Sequence, residues 1–309
     1  MARSATRLQA PRYEHRLILF LDFLGFKEIV GQTERDPDAL RRLIAALDDV
    51  GRIGEAALFR SQRVTQFSDS VVLSYRVAEP SGVFWMLNSI ALTVISLAER
   101  GFLLRGAVTI GQLHHTRRHV VGPAMVRAYE MESTQARYPR VIVDPAVIPL
   151  ARRRRNEDHT PDDEEEYVRA FLAEDDDGRL FFDYVSWQPV VAVAGGDDDR
   201  YPNYLATMAA LIRAGLAHED PSVVAKYVWV HERYDAAVAL FADMPADAAY
   251  RRSYPDNCAA IEALPRLGRE VRAARRKVAV WSAARRRAAH AASCNAAEPT
   301  RQAGSTERA

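Results

Sequence analysis

Residues 16–22 read RLILFLD, five successive apolar residues between an arginine and an aspartate. Successive strand residues point to opposite faces, so this run leaves no face for water and predicts a central strand covered on both sides. Outward from it, Gly25 precedes a short predicted helix over 26–30. A longer helix over 37–57 carries Leu40, Leu43, Ile44 and Leu47 at helical spacing. Residues 62–67, Ser68-Asp69 and 70–76 read as strand, tight turn, strand. A helix over 81–100 ends at Gly101, and 103–110 with 113–121 suggest a second strand pair around Gly111-Gln112. Gly122-Pro123 opens a helix to about Ala136, and 140–143 is another strand. The order β-α-α-β-β-α-β-β-α-β predicts an α+β fold, an elaborated βαββαβ (ferredoxin-like) sheet with helices on one face.

Beyond this sheet the texture changes. Residues 152–155 are a basic run, and 157–177 hold eleven carboxylates, which reads as a solvated surface insertion spanning 152–177. Residues 180–187 (LFFDYVSW) return to strand character, 195–199 (GGDDD) look like a linker, and 200–290 form a helical C-terminal region. Residues 1–13 read as an N-terminal tail and 291–309 as a disordered one.

Composition narrows the function classes. The chain has 309 residues, with 42 basic and 41 acidic side chains and a net charge of +1, so bulk charge favours neither nucleic acid nor a membrane surface. Only three of the basic residues are lysines (Lys27, Lys226 and Lys277), a skew that fits a GC-rich genome better than a function. Two cysteines, Cys258 and Cys294, exclude a disulfide framework and a cysteine-built zinc site. The opening residues lack the apolar core of a signal peptide, and the apolar stretch 83–98 is polar-interrupted and short for a bilayer, so the expectation is a cytoplasmic protein.

Asp22 carries the first chemical signal, because a carboxylate ending a wholly apolar strand is expensive without a partner. Asp69, in the turn between two predicted strands, could be brought beside it by antiparallel neighbours. Oxygen-only ligands at such a pair favour Mg²⁺ or Mn²⁺ over zinc. Leu24, Gly25 and Phe26 would point helix-start N–H groups outward, which suits a phosphate chain. Two acids with an amide cradle read as a two-metal phosphoryl-transfer site, while Asp22 alone reads more often than not as a structural hydrogen-bonding aspartate.

Leu21-Asp22-Phe23-Leu24-Gly25-Phe26 resembles the signature that begins class III nucleotide cyclase domains, and Phe67-Ser68-Asp69-Ser70 is similar to the hairpin holding that family's second metal aspartate. Residues 104–111 (LRGAVTIG) resemble the family's R-x-G strand, and 122–133 (GPAMVRAYEMES) sit where the family has a helix bearing its transition-state asparagine and arginine. Those two fall at Val126 and Glu130 here, the purine-selecting lysine falls at Thr65, and its aspartate partner falls near His119. The G-P-A-x-x-x-A-Y-x-x-E pattern is similar to the pyrimidine cyclases of bacterial Pycsar anti-phage systems.

The resemblance implies a catalytic domain over 14–187 with the class III cyclase fold. It implies a lyase that makes cyclic UMP from UTP, or alternatively cyclic CMP, or a catalytically inactive cyclase-like nucleotide sensor. Asp22, Asp69 and the Phe23 backbone carbonyl would hold two Mn²⁺ or Mg²⁺ ions per site. Leu24, Gly25, Phe26, Thr65, His119 and Tyr129 would contact substrate, and Arg105 would stand in for the missing arginine, with an ordinary strand ion pair as its bland alternative. The same resemblance implies a homodimer with sites at the interface. Its product would be read by a separate cyclic-nucleotide-binding effector, with no nucleic-acid or membrane partner.

Other signals are weaker. Adjacent His114 and His115 point to opposite strand faces, which argues against a zinc site with His119. Nine basic residues between positions 266 and 287 form a solvated basic face or dock against the acidic insertion, since only Trp281 offers base stacking to RNA. A polymerase-type palm shares the paired acids but needs a template-binding surface that the sequence lacks.

Overall fold

The computed structural model describes residues 10–53, 58–195 and 197–296, with side chains to residue 288. Residues 1–9 and 297–309 of the predicted tails, 54–57 of the predicted second helix and Gly196 of the predicted linker lie outside the described residues.

The chain begins with β1 (Glu14–Phe23), α1 (Phe26–Thr33), α2 (Pro37–Gly51), β2 (Arg63–Phe67), β3 (Ser70–Arg76) and α3 (Gly82–Glu99). It continues through β4 (Leu104–His115), β5 (Val120–Val121), α4 (Pro123–Glu130) and β6 (Val141–Val143). The sheet runs β2-β3-β1-β4, with β1 antiparallel to both neighbours. That is the strand order of a split βαβ fold, and it makes residues 16–22 the centre of the molecule. The mixed α+β class expected from sequence is the one observed.

The two faces of β1 explain its unbroken apolarity. Leu17, Leu19, Leu21 and Phe23 share a large core with Leu43 and Val50 of α2 and Met86, Ile90 and Val94 of α3. Ile18 and Phe20 form a separate cluster with Val72, Leu113, Ala124 and Ala128. The helices are therefore not confined to one face, because α4 covers the other. By length and composition α3 could cross a membrane, but 56% of it is buried as a core helix.

The predicted turn at Gly111-Gln112 is absent, and β4 runs on through it to His115. Gly111 serves a different purpose: a Cβ there would lie 3.1 Å from the Ala124 Cβ, so its missing side chain lets α4 approach the sheet. The chain reverses instead at residues 116–119 and returns as β5.

Residues 152–177 are ordered rather than simply solvated. Past α5 (Val147–Arg153), α6 (Pro161–Arg169) is opened by a Thr160–Asp163 capping box, and β7 (Leu172–Glu174) with β8 (Leu180–Phe182) extends the sheet beyond β6. Two of the carboxylates are interior. Glu164 accepts from the Ser81 hydroxyl at 3.0 Å, and Asp175 pairs with Arg140 and Arg233 while accepting from the Trp229 indole at 2.8 Å.

The C-terminal region comprises α7 (Tyr201–Leu216), α8 (Pro221–Ala242), α9 (Ala249–Ser253), α10 (Pro255–Glu262) and α11 (Gly268–Ala296). The basic stretch is a solvent-exposed face, and where it pairs it does so with α8 rather than with the acidic insertion: Arg266 with Asp235 at 2.5 Å and Arg275 with Glu232 at 2.9 Å.

Candidate active site

Asp22 lies at the C-terminal end of β1, opposite Ser70 of β3 and Arg105 of β4. Directly paired residues of antiparallel strands share a face, so these three side chains stand abreast on the face that α4 covers. The Ser70 hydroxyl donates to Asp22 Oδ1 at 2.9 Å. Arg105 Nη2 lies 3.5 Å from Asp22 Oδ2 and 2.6 Å from Glu132 Oε1. Glu132 comes from a π-helical turn, Met131–Gln135, that continues α4 and buries the sequence neighbours Met131 and Glu132 together.

Asp69 occupies the tight β2–β3 turn, where Ser68 takes a left-handed conformation (φ 54°). Burial raises the Asp22 carboxyl above its ordinary pKa, the Ser70 hydrogen bond opposes it, and the neighbouring Asp69 charge adds to it. Burial also raises Glu132, against the Arg105 charge. The structure thus gathers Asp22, Asp69 and Arg105, and it adds Ser70 and Glu132, which sequence reasoning did not single out. Glu132 had a readable signal, four residues beyond the buried Ala128 on one helical stripe.

The segment leaving β1 turns at Gly25, whose φ of 76° favours glycine. The Leu24 amide is taken by the Leu103 carbonyl at 2.8 Å and does not face a ligand. The amides of Gly25 and Phe26 have no backbone acceptor among the described residues. Phe23 is buried edge-on against Phe102 at 5.8 Å, so its backbone carbonyl rather than its ring is what this position can offer.

A second polar group lies on the same face. His115 reaches across β1, with Nδ1 2.8 Å from Ser74 Oγ and Nε2 3.0 Å from Thr65 Oγ1. Arg16 Nε donates to Ser74 Oγ at 2.9 Å. Burial and the charges of Arg16 and Arg63 lower the imidazole pKa to about 4, so the ring is neutral at pH 7 and carries one proton. Arginine can only donate, so Ser74 Oγ accepts from it, and the neutral ring donates through one nitrogen and accepts through the other.

Thr65 therefore meets His115 and not His119, which sits in the exposed 116–119 turn with its carbonyl accepting from the Thr116 amide. Tyr129 stands edge-on to Phe20 at 6.0 Å and is more than half exposed, as is Val126. Glu130 is exposed on α4. Arg127 pairs with Asp144 at 2.6 Å, which also accepts from Thr109 Oγ1 at 2.7 Å, a third polar group on this face.

Among the described residues no group of three or more His, Cys, Asp or Glu is arranged to hold a metal by itself. Asp22, Asp69 and the Phe23 carbonyl would offer only oxygen donors, with a hydroxyl at one Asp22 oxygen and a guanidinium 3.5 Å from the other. That set fits a hard divalent ion that keeps positions open for phosphate and water, as Mg²⁺ does, and it does not fit zinc.

No family model and no curated protein matches the chain. Among solved structures it is similar to the catalytic core of a rhodopsin-guanylyl cyclase with converted specificity in complex with ATPαS, at 17% identity and TM-score 0.38 over 46% of this chain and 83% of that one. It is similar to the adenylyl cyclase CyaB from P. aeruginosa at 12% identity and TM-score 0.36, over 46% of this chain and 82% of that one. A bacterial light-regulated adenylyl cyclase is likewise similar at 13% identity and TM-score 0.37, over 60% of this chain and the whole of that one. All three likenesses are remote.

Proposed function

We propose that this protein is a nucleotide cyclase that converts UTP to 3′,5′-cyclic UMP and pyrophosphate, a second messenger read by a separate effector in anti-phage defence. The observation that carries the reading is the juxtaposition of Asp22, Asp69 and Arg105 at the end of the central strand, beside the Gly25 helix start. Asp22, Asp69 and the Phe23 carbonyl would hold two Mg²⁺ or Mn²⁺ ions. When bound, such ions lower the pKa of a ribose hydroxyl and neutralise triphosphate charge.

The chain's own groups do the rest. The Gly25 and Phe26 amides bind phosphate oxygens at the positive end of α1. Ser70 fixes the orientation of Asp22. Arg105, tethered by Glu132, presents a guanidinium to charge building on the α-phosphate as the ribose O3′ joins phosphorus and pyrophosphate departs. It takes the place of the arginine that the resemblance puts at Glu130.

Base contact is assigned to Thr65, whose hydroxyl can donate to the O4 acceptor of uracil; the choice of UTP over CTP rests on the resemblance. Assembly rests on the α4 face, where Tyr13, Phe67, Val121, Val126 and Tyr129 are exposed. A second copy on this face would bring one protomer's Thr65 and His115 to its partner's metal half, with the site at the interface.

The test is incubation of pure protein with each of the four nucleoside triphosphates and Mn²⁺, followed by mass analysis. Cyclic UMP as the main product is expected; cyclic AMP or cyclic GMP with pyrimidines inert would overturn the reading. A second reading, an inactive nucleotide sensor, is favoured by Arg105 closing on Asp22 and by Val126 and Glu130 in place of the asparagine and arginine. It predicts saturable UTP binding with no product.

A further inference from the structure

At the N-terminal end of β1 a cavity of about 490 Å³ opens between residues 10–12, the start of β2, the end of β3 and the 116–119 turn. Glu14 lines it, and Asp22 stands roughly 26 Å away along the same strand. The two ends of β1 are therefore separate places within one protomer. Arg12, Arg63, Arg76 and Arg117 line the cavity, and Glu14 is the one carboxylate among its described lining residues.

Glu14 is already engaged at both oxygens. Its Oε1 accepts from Arg76 Nε at 3.1 Å, and its Oε2 pairs at 2.5 Å with Arg16, whose side chain is 2% exposed. Arg63 donates through Nη1 to the backbone carbonyls of Arg60 at 3.0 Å and Gln62 at 2.5 Å, which fix its guanidinium without neutralising it. Arg12 and Arg117 have no ion pair among the described residues. The backbone carrying them is nonetheless held in place. His114 Nδ1 lies 3.1 Å from the Arg12 carbonyl, and the Thr116 hydroxyl accepts from the Arg118 and His119 amides at 3.2 and 3.1 Å. Residues 1–9, which lead to Ala10 at the cavity, add Arg3 and Arg7 and no acid. Three unmatched guanidinium groups around one cavity repel one another, and an anion between them turns that repulsion into attraction.

We propose that this cavity is a second anion site, which takes a diphosphate group between Arg12, Arg63 and Arg117. Guanidinium forks match phosphate oxygens in pairs, and a single phosphate would leave one of the three charges uncompensated. No tyrosine, phenylalanine or tryptophan lines the cavity, and the charges converge on a hollow rather than run along a face. Both features fit a compact anion and not a nucleic-acid strand.

The test is calorimetric titration of the full-length protein with pyrophosphate in EDTA, which keeps divalent ions from the Asp22 end. Saturable binding is expected, weakened about tenfold by each of Arg63→Gln and Arg117→Gln, the worth of one charge-assisted contact. Arg286→Gln, on the exposed part of α11, should bind as the wild type does. Arg117 is exposed in a turn, so its variant leaves the fold intact. A parallel titration with UDP identifies the source: tighter binding than pyrophosphate assigns the group to a nucleotide and equal binding to the free anion, and both support the inference. No binding at millimolar pyrophosphate, or an affinity that neither cavity variant changes, overturns it. So does a single-stranded RNA that binds more tightly than pyrophosphate and weakens equally in Arg117→Gln and Arg286→Gln, the mark of a diffuse basic surface. No step of the test involves turnover, so its outcome is independent of the cyclase reading.

Discussion

Burial favours the neutral form of Asp22, whereas the proposed metal site would need its charge. Asp22→Asn removes the conflict, so the variant should unfold within about 1 kcal/mol of wild type while cyclic UMP production vanishes. Asp69→Asn should do the same, and either variant retaining activity within a few-fold at equal Mn²⁺ would misplace the metal pair. His115 gives a pH signature. Its folded pKa of about 4 lies below the ordinary 6.5, so between these values the unfolded chain binds more protons, and stability falls as pH drops through that window. The loss should approach about 3 kcal/mol by pH 4, and urea titrations of His115→Gln should lack that component. Asp22 was legible because an apolar run ended in a carboxylate. His115 was not, because its role depends on a strand reaching across its neighbour to hydroxyls some forty and fifty residues away in sequence.

At the scale of elements, glycine was the least readable signal. Gly101 closes a helix as its position implies, but Gly111 looks the same in sequence and instead admits α4 to the sheet. The apolar run that defines β1 and the strand–turn–strand pattern of β2 and β3 are local and therefore legible; which glycine turns and which yields space is decided by another element. The π-helical turn after α4, which carries Glu132, is equally hidden. Gly215 offers a measurable case, since any added carbon meets the Tyr227 ring. Gly215→Ala should destabilise the fold by about 1–3 kcal/mol in thermal or urea unfolding, an overpacking penalty. A neutral Gly215→Ala would show that α8 is free to adjust.

For the whole molecule, the exposed apolar face around α4 predicts self-association. Sedimentation should show a homodimer, Val126→Glu should shift it toward monomer, and activity per chain should fall with that shift. A fully active monomer would separate the site from the interface. The sheet could be read from sequence, but the charged stretch 152–177 could not, because composition does not reveal which carboxylates find arginines. Asp175 does so twice, at Arg140 below the sheet edge and at Arg233 on α8, with Trp229 of the same helix covering Phe181 and Tyr138. A ribosome delivers these partners in sequence. Until residue 233 has emerged, the nascent sheet carries a bare aromatic edge and an incompletely neutralised carboxylate. Chains cut short before α8 are therefore marked for aggregation or proteolysis, and a cell would hold either the finished protein or none of it.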